Sequence, residues 1–281
     1  MALMDEFKEE RESIKSAPFK KRFEYFWEYN KWYVICGAIA LIAIIMTIHS
    51  IVTHKKDVLY VAMINSVEVA GSNVQENIKE PFLIAHDYNV NKNNILFDID
   101  LKMNFTSIAH KEANKIPEDY TDYVSTTNSA TARQTLSVYI AAGTVDLMVC
   151  SENWFDEYGY GGFFLPLSDV LTAEEMEQYS DRLYYIDKAV MDRYEKANES
   201  MDYNYTEPYP DPYDLDAMEE PIAVGIIADE STRLISCYAF VTEYKEDNIV
   251  MGFIANGKNV PLAHDLMINL LEEVPQPQVT E

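Results

Sequence analysis

The sequence predicts an α/β domain joined to a single N-terminal transmembrane helix. A run of 19 residues, 34–52, contains no Asp, Glu, Lys or Arg. Beyond residue 57, short β-branched runs alternate with helical patterns, which is typical of βα units. The chain has 281 residues, 48% of them hydrophobic, so it can bury a core. We therefore expect four parts: a basic and aromatic segment (1–33), a transmembrane helix (34–53), an α/β domain (57–274) and a flexible tail (275–281).

The apolar run has the length that a bilayer requires. At 1.5 Å per residue, a helix of 19 residues spans about 28 Å, which matches a hydrocarbon core. A buried helix of a soluble protein is disfavoured, because such helices are rarely apolar on every side. Aromatic side chains of the kind that settle at the headgroup level precede the run: Phe23, Tyr25, Phe26, Trp27, Tyr29, Trp32 and Tyr33.

Flanking cations predict the orientation of this helix. Five basic residues precede the run within about 20 positions, whereas only Lys55 and Lys56 follow it closely. We therefore expect a single-pass protein of the cell membrane, with a cytoplasmic N-terminus and an extracellular C-terminal domain. A cleaved signal peptide is the alternative, but its 33-residue leader would be long and no small-x-small cleavage site follows the run.

The net charge of −25 belongs to the outer domain alone. Of 22 basic and 47 acidic residues, seven of each precede Val34, which leaves 15 basic and 40 acidic residues beyond the run. Such a surface repels nucleic acid and anionic lipid, so no nucleic-acid partner is expected. We interpret the charge as a solubility feature.

Cysteine and histidine usage predicts no disulfide scaffold, cofactor or metal site. Cys36 lies in the apolar run, and Cys150 and Cys237 lie in apolar stretches that predict strands. Buried thiols are favoured over one bridge between them. The five histidines are scattered, and no Cys-x-x-Cys pair is present.

The first half of the outer domain predicts alternating strands and helices. Strands are expected over 58–65 and 95–103, with a helical stretch over 75–87 between them. Next come cap-rich residues at 125–129, a helix that ends before Gly143, and a strand over 145–150. This short link from helix to strand favours a largely parallel sheet.

The second half predicts shorter elements. Ser168 or Thr172 can cap a helix with acidic residues in its first turn. In order, we expect a glycine-rich loop at 159–162, a helix over 172–183, an irregular Pro-, Tyr- and Asp-rich stretch over 201–221, strands over 222–229, 233–240 and 249–256, and a final helix over 262–273.

Three segments resemble the extracytoplasmic solute-binding proteins of bacterial ABC importers. These segments are AAGTVDLMVCSENW, FFLPLSDVLTAEEMEQYSD and VMGFIANGKNVPLAHDLMINLL. The resemblance implies a type II periplasmic-binding fold and covers about half of the outer domain in patches. The domain is short for that family, which implies a reduced second lobe, and a transmembrane helix replaces the lipidated cysteine. The resemblance is closest to membrane-anchored proteins of anaerobic Gram-positive bacteria, which have no assigned substrate.

Polar residues at predicted strand ends and at one helix start form a candidate ligand site. In open parallel sheets, ligands bind beyond the carboxyl ends of the strands. The expected polar cradle comprises Asn65, Ser66, Thr127, Asn128, Ser129, Ser151, Glu152 and Asn153, with Trp154, Tyr158 and Tyr160 as stacking walls. Ordinary helix capping and a surface loop are the alternative explanation. Asp146 is interpreted as an acceptor for backbone N–H groups near the turn at Gly143.

Two functional hypotheses follow from these patterns. The first is a non-catalytic, membrane-tethered domain that binds a small solute or peptide and serves an integral membrane partner such as a permease. The second is an interaction or scaffold module of the cell envelope. No sequence motif places a nucleophile beside a base, so an extracytoplasmic hydrolase is disfavoured. An open aromatic cleft would favour the binder, whereas a filled cleft with an exposed apolar patch would favour the interaction module.

Overall fold

A computed structural model describes residues 18–104, 126–202, 205–242 and 247–274 of the chain. The chain divides into two compact units, Met1–His54 and Lys55–Glu281. The predicted tail, 275–281, lies outside the described residues.

The described residues of the first unit form one long helix, α1 (Phe19–Thr53). Its most apolar window, Asn30–Ile48, has a mean hydropathy of 2.1, and none of that window is buried. The helix begins 15 residues before the predicted 34–53 span, because no Pro or Gly interrupts the chain between Pro18 and Gly37. Thr47 donates to the carbonyl of Ala43 over 2.8 Å, which satisfies its hydroxyl within the helix. This helix fits a single-pass membrane anchor or a signal sequence.

The second unit is built on a six-stranded sheet with the order β3-β1-β4-β8-β6-β5. Its strands are β1 (Lys56–Met63), β3 (Asn93–Asp98), β4 (Leu147–Ser151), β5 (Leu183–Asp187), β6 (Pro221–Ala228) and β8 (Ile249–Phe253). A separate antiparallel pair joins β2 (Ser66–Glu68) to β7 (Tyr238–Phe240). The α/β class is therefore confirmed.

The sheet is mixed, so the prediction of a largely parallel sheet was wrong. β1 pairs in parallel with β3 and β4, but β8 is antiparallel to β4 and β6, and β5 is antiparallel to β6. The sequence obscured this because a strand buried on both faces is apolar throughout, whatever the direction of its neighbours. All five residues of β4 and of β8 are buried.

Helices cover both faces of the sheet. They are α2 (Glu80–Ala85), α3 (Thr126–Ala141), α4 (Glu152–Gly159), α5 (Ala173–Gln178), α6 (Lys188–Glu199), α7 (Arg233–Cys237) and α8 (Val260–Leu271). Leu59 and Val61 of β1 belong to the apolar cluster that contains α2 and α8, whereas Tyr60 and Ala62 belong to the cluster that contains α3, α4 and α6. Alternate residues of a strand therefore build two cores.

The structure confirms some local predictions and corrects others. Thr172 caps α5 through a reciprocal capping box with Glu175. Cys150 and Cys237 are buried free thiols, as expected. The predicted strand over 233–240 is instead the helix α7 followed by β7, because Thr232 accepts a hydrogen bond from the backbone N–H of Ile235 and starts a helical turn.

Candidate functional site

Asn65 and Ser66, which follow β1, hold the backbone together. Asn65 is 1% exposed and has a positive φ of 54°. Its amide group exchanges two hydrogen bonds with the backbone of Met103, of 2.7 and 2.6 Å. The hydroxyl of Ser66 donates to the carbonyl of Met63 over 3.1 Å. These side chains therefore have structural partners at the carboxyl end of β1.

The residues at the start of α3 have different environments. Ser129 is buried, and its Oγ accepts a hydrogen bond from the backbone N–H of Asn104 over 2.9 Å. Asn128 is exposed and lines a cavity of about 300 Å³ together with Asp98 and Asp100. Thr127 lies in the first turn of α3, and its side chain lies outside the described part of the chain.

Ser151 and Glu152 lie at the carboxyl end of β4, as the sequence predicted. Ser151 is 3% exposed, and its hydroxyl forms no hydrogen bond with any described residue. Glu152 accepts hydrogen bonds from Tyr213 and, over 2.7 Å, from Asn248. Glu152 is thereby tied to the irregular segment before β6 and to the residue before β8. Asn153 donates to Asp247 over 3.2 Å.

The three aromatic side chains expected as stacking walls belong to the core. Trp154, Tyr158 and Tyr160 are 0%, 7% and 3% exposed. The helix α4 places Trp154 and Tyr158 in the core. There the hydroxyl of Tyr158 donates to Sδ of Met103 over 3.9 Å. The aromatic-walled open cleft is therefore not present at these rings. No helix was predicted over residues 152–158, which lie in α4.

An irregular segment over 205–217, here called the tyrosine strap, covers Tyr160. Tyr209 stacks on Tyr160 with a centroid distance of 3.9 Å and an interplanar angle of 10°. Arg193 of α6 holds the strap by a two-pronged ion pair with Glu207, of 2.8 and 2.9 Å. The strap occupies the position in which a solute would have stacked on Tyr160.

Asp156 is a titratable group that the sequence did not single out. It lies on α4, is partly buried, and accepts a hydrogen bond from the hydroxyl of Tyr184 over 2.9 Å. Burial, aided by the nearby charges of Glu152 and Asp211, raises the pKa of Asp156 to about 7 despite the Tyr184 hydrogen bond. Tyr184 lies on β5, 28 residues further along the chain, so no local pattern marks this pair.

A larger cavity lies at the opposite end of the parallel strands. It has a volume of about 580 Å³, and we call it the tyrosine cavity because Tyr60, Tyr88 and Tyr139 line it. Its other lining residues are Lys56, Asp57, Val58, Leu59, Asn93, Leu96, Thr144, Asp146, Lys258 and Asn259. Tyr60 and Tyr139 meet edge to face at 5.6 Å. This cavity contains none of the eleven predicted binding residues.

The acidic groups of the tyrosine cavity are engaged by the protein itself. Asp146 accepts from the backbone N–H groups of Tyr60 and Asn259, at 3.0 and 2.9 Å. Asp57 accepts from the amide of Asn94 over 2.7 Å. Burial raises the pKa of Asp146 although its backbone hydrogen bonds oppose that change. The interpretation of Asp146 as an acceptor for backbone donors agrees with this geometry, although these donors lie outside the turn at Gly143.

The two lysines of the tyrosine cavity differ from its acidic groups in their contacts. Within the described residues, neither Lys56 nor Lys258 forms an ion pair. The cavity therefore combines aromatic surface, amide groups and two lysines without an ion-pair contact among the described residues, and the charge of Lys258 opposes the rise in the pKa of Asp146. Its volume lies within the usual range of small-molecule sites, about 300–1,000 Å³.

The described residues define an α/β domain preceded by an apolar helix, with a polar and aromatic cavity at the amino end of the parallel strands. No family model matches the chain, and no match was found among curated proteins or solved structures. Among the described residues, no group of three or more His, Cys, Asp or Glu side chains is arranged to hold a metal ion.

Proposed function

We propose that this chain is a membrane-anchored, non-catalytic binding domain that captures a small aromatic anion in the tyrosine cavity. The observation that carries the proposal is the pairing of Lys56 and Lys258 with the rings of Tyr88 and Tyr139 around one cavity. A carboxylate or phosphate would receive charge-assisted hydrogen bonds from the lysines, and its ring would lie against the tyrosines. The helix α1 would keep the domain at the membrane surface.

We also propose kinship with the type II periplasmic-binding fold, now with a relocated site. The parallel strands run in the order β3-β1-β4, with the first strand of the chain inside, which is compatible with a doubly wound sheet. The helix α3 leads through Gly143 into β4, next to Asp146, which supports this proposal. On this proposal the bound solute is presented to an integral membrane partner such as a permease.

Thermal unfolding of the full chain in detergent tests the binding site. Benzoate and phenyl phosphate serve as probes, with benzyl alcohol as the uncharged comparison. We expect a saturable rise in Tm with the two anions, because ligands that bind only the native state stabilise it. Lys258→Met should weaken binding by at least about tenfold, the value of one charge-assisted hydrogen bond.

Lys92→Met is the matched control, because Lys92 is exposed and does not line the cavity. The proposal is overturned if neither anion raises Tm, or if Lys258→Met and Lys92→Met bind the probes equally well.

An interaction or scaffold module is the second candidate, and one observation favours it. The tyrosine strap fills the site beside Tyr160, as expected of a domain whose ancestral cleft has closed. Such a module would keep its envelope partner when both Lys56 and Lys258 are replaced by Met, whereas a solute-dependent binder would lose it.

A further inference from the structure

Two histidines at a further cavity, distinct from the two already described, each have an imidazole ring between two hydrogen-bond acceptors. His86, which follows α2, has Nδ1 at 2.8 Å from the carbonyl of Phe82 and Nε2 at 3.1 Å from Asp265. His264 of α8 has Nδ1 at 3.0 Å from Asp265 and Nε2 at 3.0 Å from Glu175. The two imidazoles contact different oxygens of the Asp265 carboxylate.

This arrangement fixes the number of protons that the rings need. A carbonyl or carboxylate oxygen only accepts, and a neutral imidazole has one N–H donor, whereas an imidazolium has two. In the neutral state, each histidine would direct one nitrogen lone pair at an oxygen atom. All four contacts are therefore satisfied together only when both rings are protonated.

We propose that His86, His264, Asp265 and Glu175 form a proton-operated clamp, here called the histidine clamp, that holds α2, α5 and α8 together. Each ring can donate to both of its acceptors only as an imidazolium, so the clamp gains contacts on acidification. At higher pH each ring loses one of its two contacts, and the three helices are held less tightly.

The clamp borders a cavity of about 620 Å³, to which all three helices contribute. Its lining residues are Asn77, Pro81, Phe82, Ala85, His86, Glu175, Arg233, His264, Asp265, Ile268, Asn269 and Glu272. Loosening the clamp therefore widens the access of solvent to this cavity.

The other charges around the clamp are compatible with protonated rings. Arg233 of α7 is paired with Glu272 at 2.6 Å, so its charge is balanced within the cavity. Burial opposes ionisation of Asp265, but hydrogen bonds from His264 and His86 outweigh it and lower the pKa of that carboxyl. The backbone hydrogen bond from Thr172, followed by contacts that include His264, lowers the pKa of Glu175. Both carboxylates therefore stay ionised at the mildly acidic pH that closes the clamp.

Hydrogen exchange of the full chain in detergent tests the clamp, with each variant compared with the native chain at the same pH. Replacing His264 or His86 with Gln supplies an amide that, like neutral imidazole, offers a donor and an acceptor. At pH 6 we expect the backbone amides of α2 and α8 to exchange about tenfold faster in His264→Gln, as lost charge-assisted hydrogen bonds imply. At pH 8 the difference should largely disappear.

The exposed histidine His54 provides the matched control, since His54→Gln should match the native chain at both pH values. His86→Gln should reproduce the effect of His264→Gln, and the double variant should add little, because both rings share Asp265. Equal exchange of native and variant chains at pH 6, or the same difference at pH 6 and pH 8, would overturn the proposal.

Discussion

At the scale of single residues, Asp156 has a direct consequence for the pH dependence of stability. A carboxyl whose folded-state pKa is about 7 binds its proton more tightly in the native state than in the unfolded chain. The contribution of Asp156 to the free energy of unfolding is therefore fully present below about pH 4 and is lost as the pH rises to about 7. Above that value it changes no further.

The variant Asp156→Asn should remove this loss. We expect the native chain to lose roughly 2 kcal/mol of stability between pH 4 and pH 7, after allowance for partial solvation of the group. The free energy of unfolding, measured by urea denaturation in the His264→Gln background, separates this effect from the histidine clamp. Asp169→Asn changes an exposed carboxylate and should leave the pH profile intact. An unchanged slope in Asp156→Asn would contradict the assignment.

Residue-level prediction succeeded for residues that lie close to a recognisable strand or helix end. Asn65, Ser129 and Ser151 were placed correctly at element termini, because polar side chains gather there. Their partners were not foreseeable, since the Met103 backbone that Asn65 binds is 38 residues away. The binding role of the eleven predicted residues stays a prediction.

At the scale of elements, two strand glycines determine how closely α4 approaches the sheet. A Cβ atom on Gly225 of β6 would lie 2.6 Å from Cζ of Phe155, and one on Gly252 of β8 would lie 2.8 Å from the same atom. Phe155 stacks on Phe164 at 4.1 Å above this gap. Because Gly225 and Gly252 have no side chains, the ring of Phe155 can pack directly against these two neighbouring strands.

Gly225→Ala should therefore destabilise the domain by about 1–3 kcal/mol, the usual cost of overpacking a core. Phe155→Leu removes the ring atoms that obstruct the new methyl group, although Val250 Cγ1, at 2.5 Å from it, must still shift. In a double-mutant cycle monitored by urea unfolding, Gly225→Ala should cost less in the Phe155→Leu background. Equal costs in the two backgrounds would show that Phe155 does not set this limit.

Element-level prediction succeeded for the apolar strands and the capped helices, and it failed where helix and strand patterns overlap. The sequence over 152–159 contains three aromatic residues and a glycine, and no helix was predicted there, yet its apolar side chains are buried together in α4. The helix α6 was missed because it is polar apart from a narrow buried side formed by Val190, Tyr194 and Ala197.

At the scale of the whole molecule, retention of α1 decides between a membrane anchor and a cleaved signal sequence. We expect the native chain to stay with membranes after alkaline carbonate washing and to show the intact mass of the full sequence. Ile42→Arg should reduce membrane integration, because a central arginine costs about 2.5–3.5 kcal/mol, whereas Ile42→Leu should not. A mass that lacks the residues up to the end of α1 would identify a signal sequence instead.

Sequence patterns predicted the α/β class and the N-terminal apolar helix, because both follow from composition along the chain. The mixed strand directions and the tyrosine cavity depend on which strands become neighbours. Tyr60 and Asn259 of that cavity are brought together by the Asp146 carboxylate across nearly 200 residues. Such long-range pairing leaves no mark on a single sequence.

The place of β8 in the sheet bears on how this protein is synthesised. It is the last of the described strands, yet it lies between β4 and β6 and joins the two halves of the sheet. Until residue 253 leaves the ribosome, each half presents an unpaired edge to other nascent chains. Translation that stops before Ile249 therefore yields an aggregation-prone fragment, because the six-stranded sheet is complete only once β8 has been made.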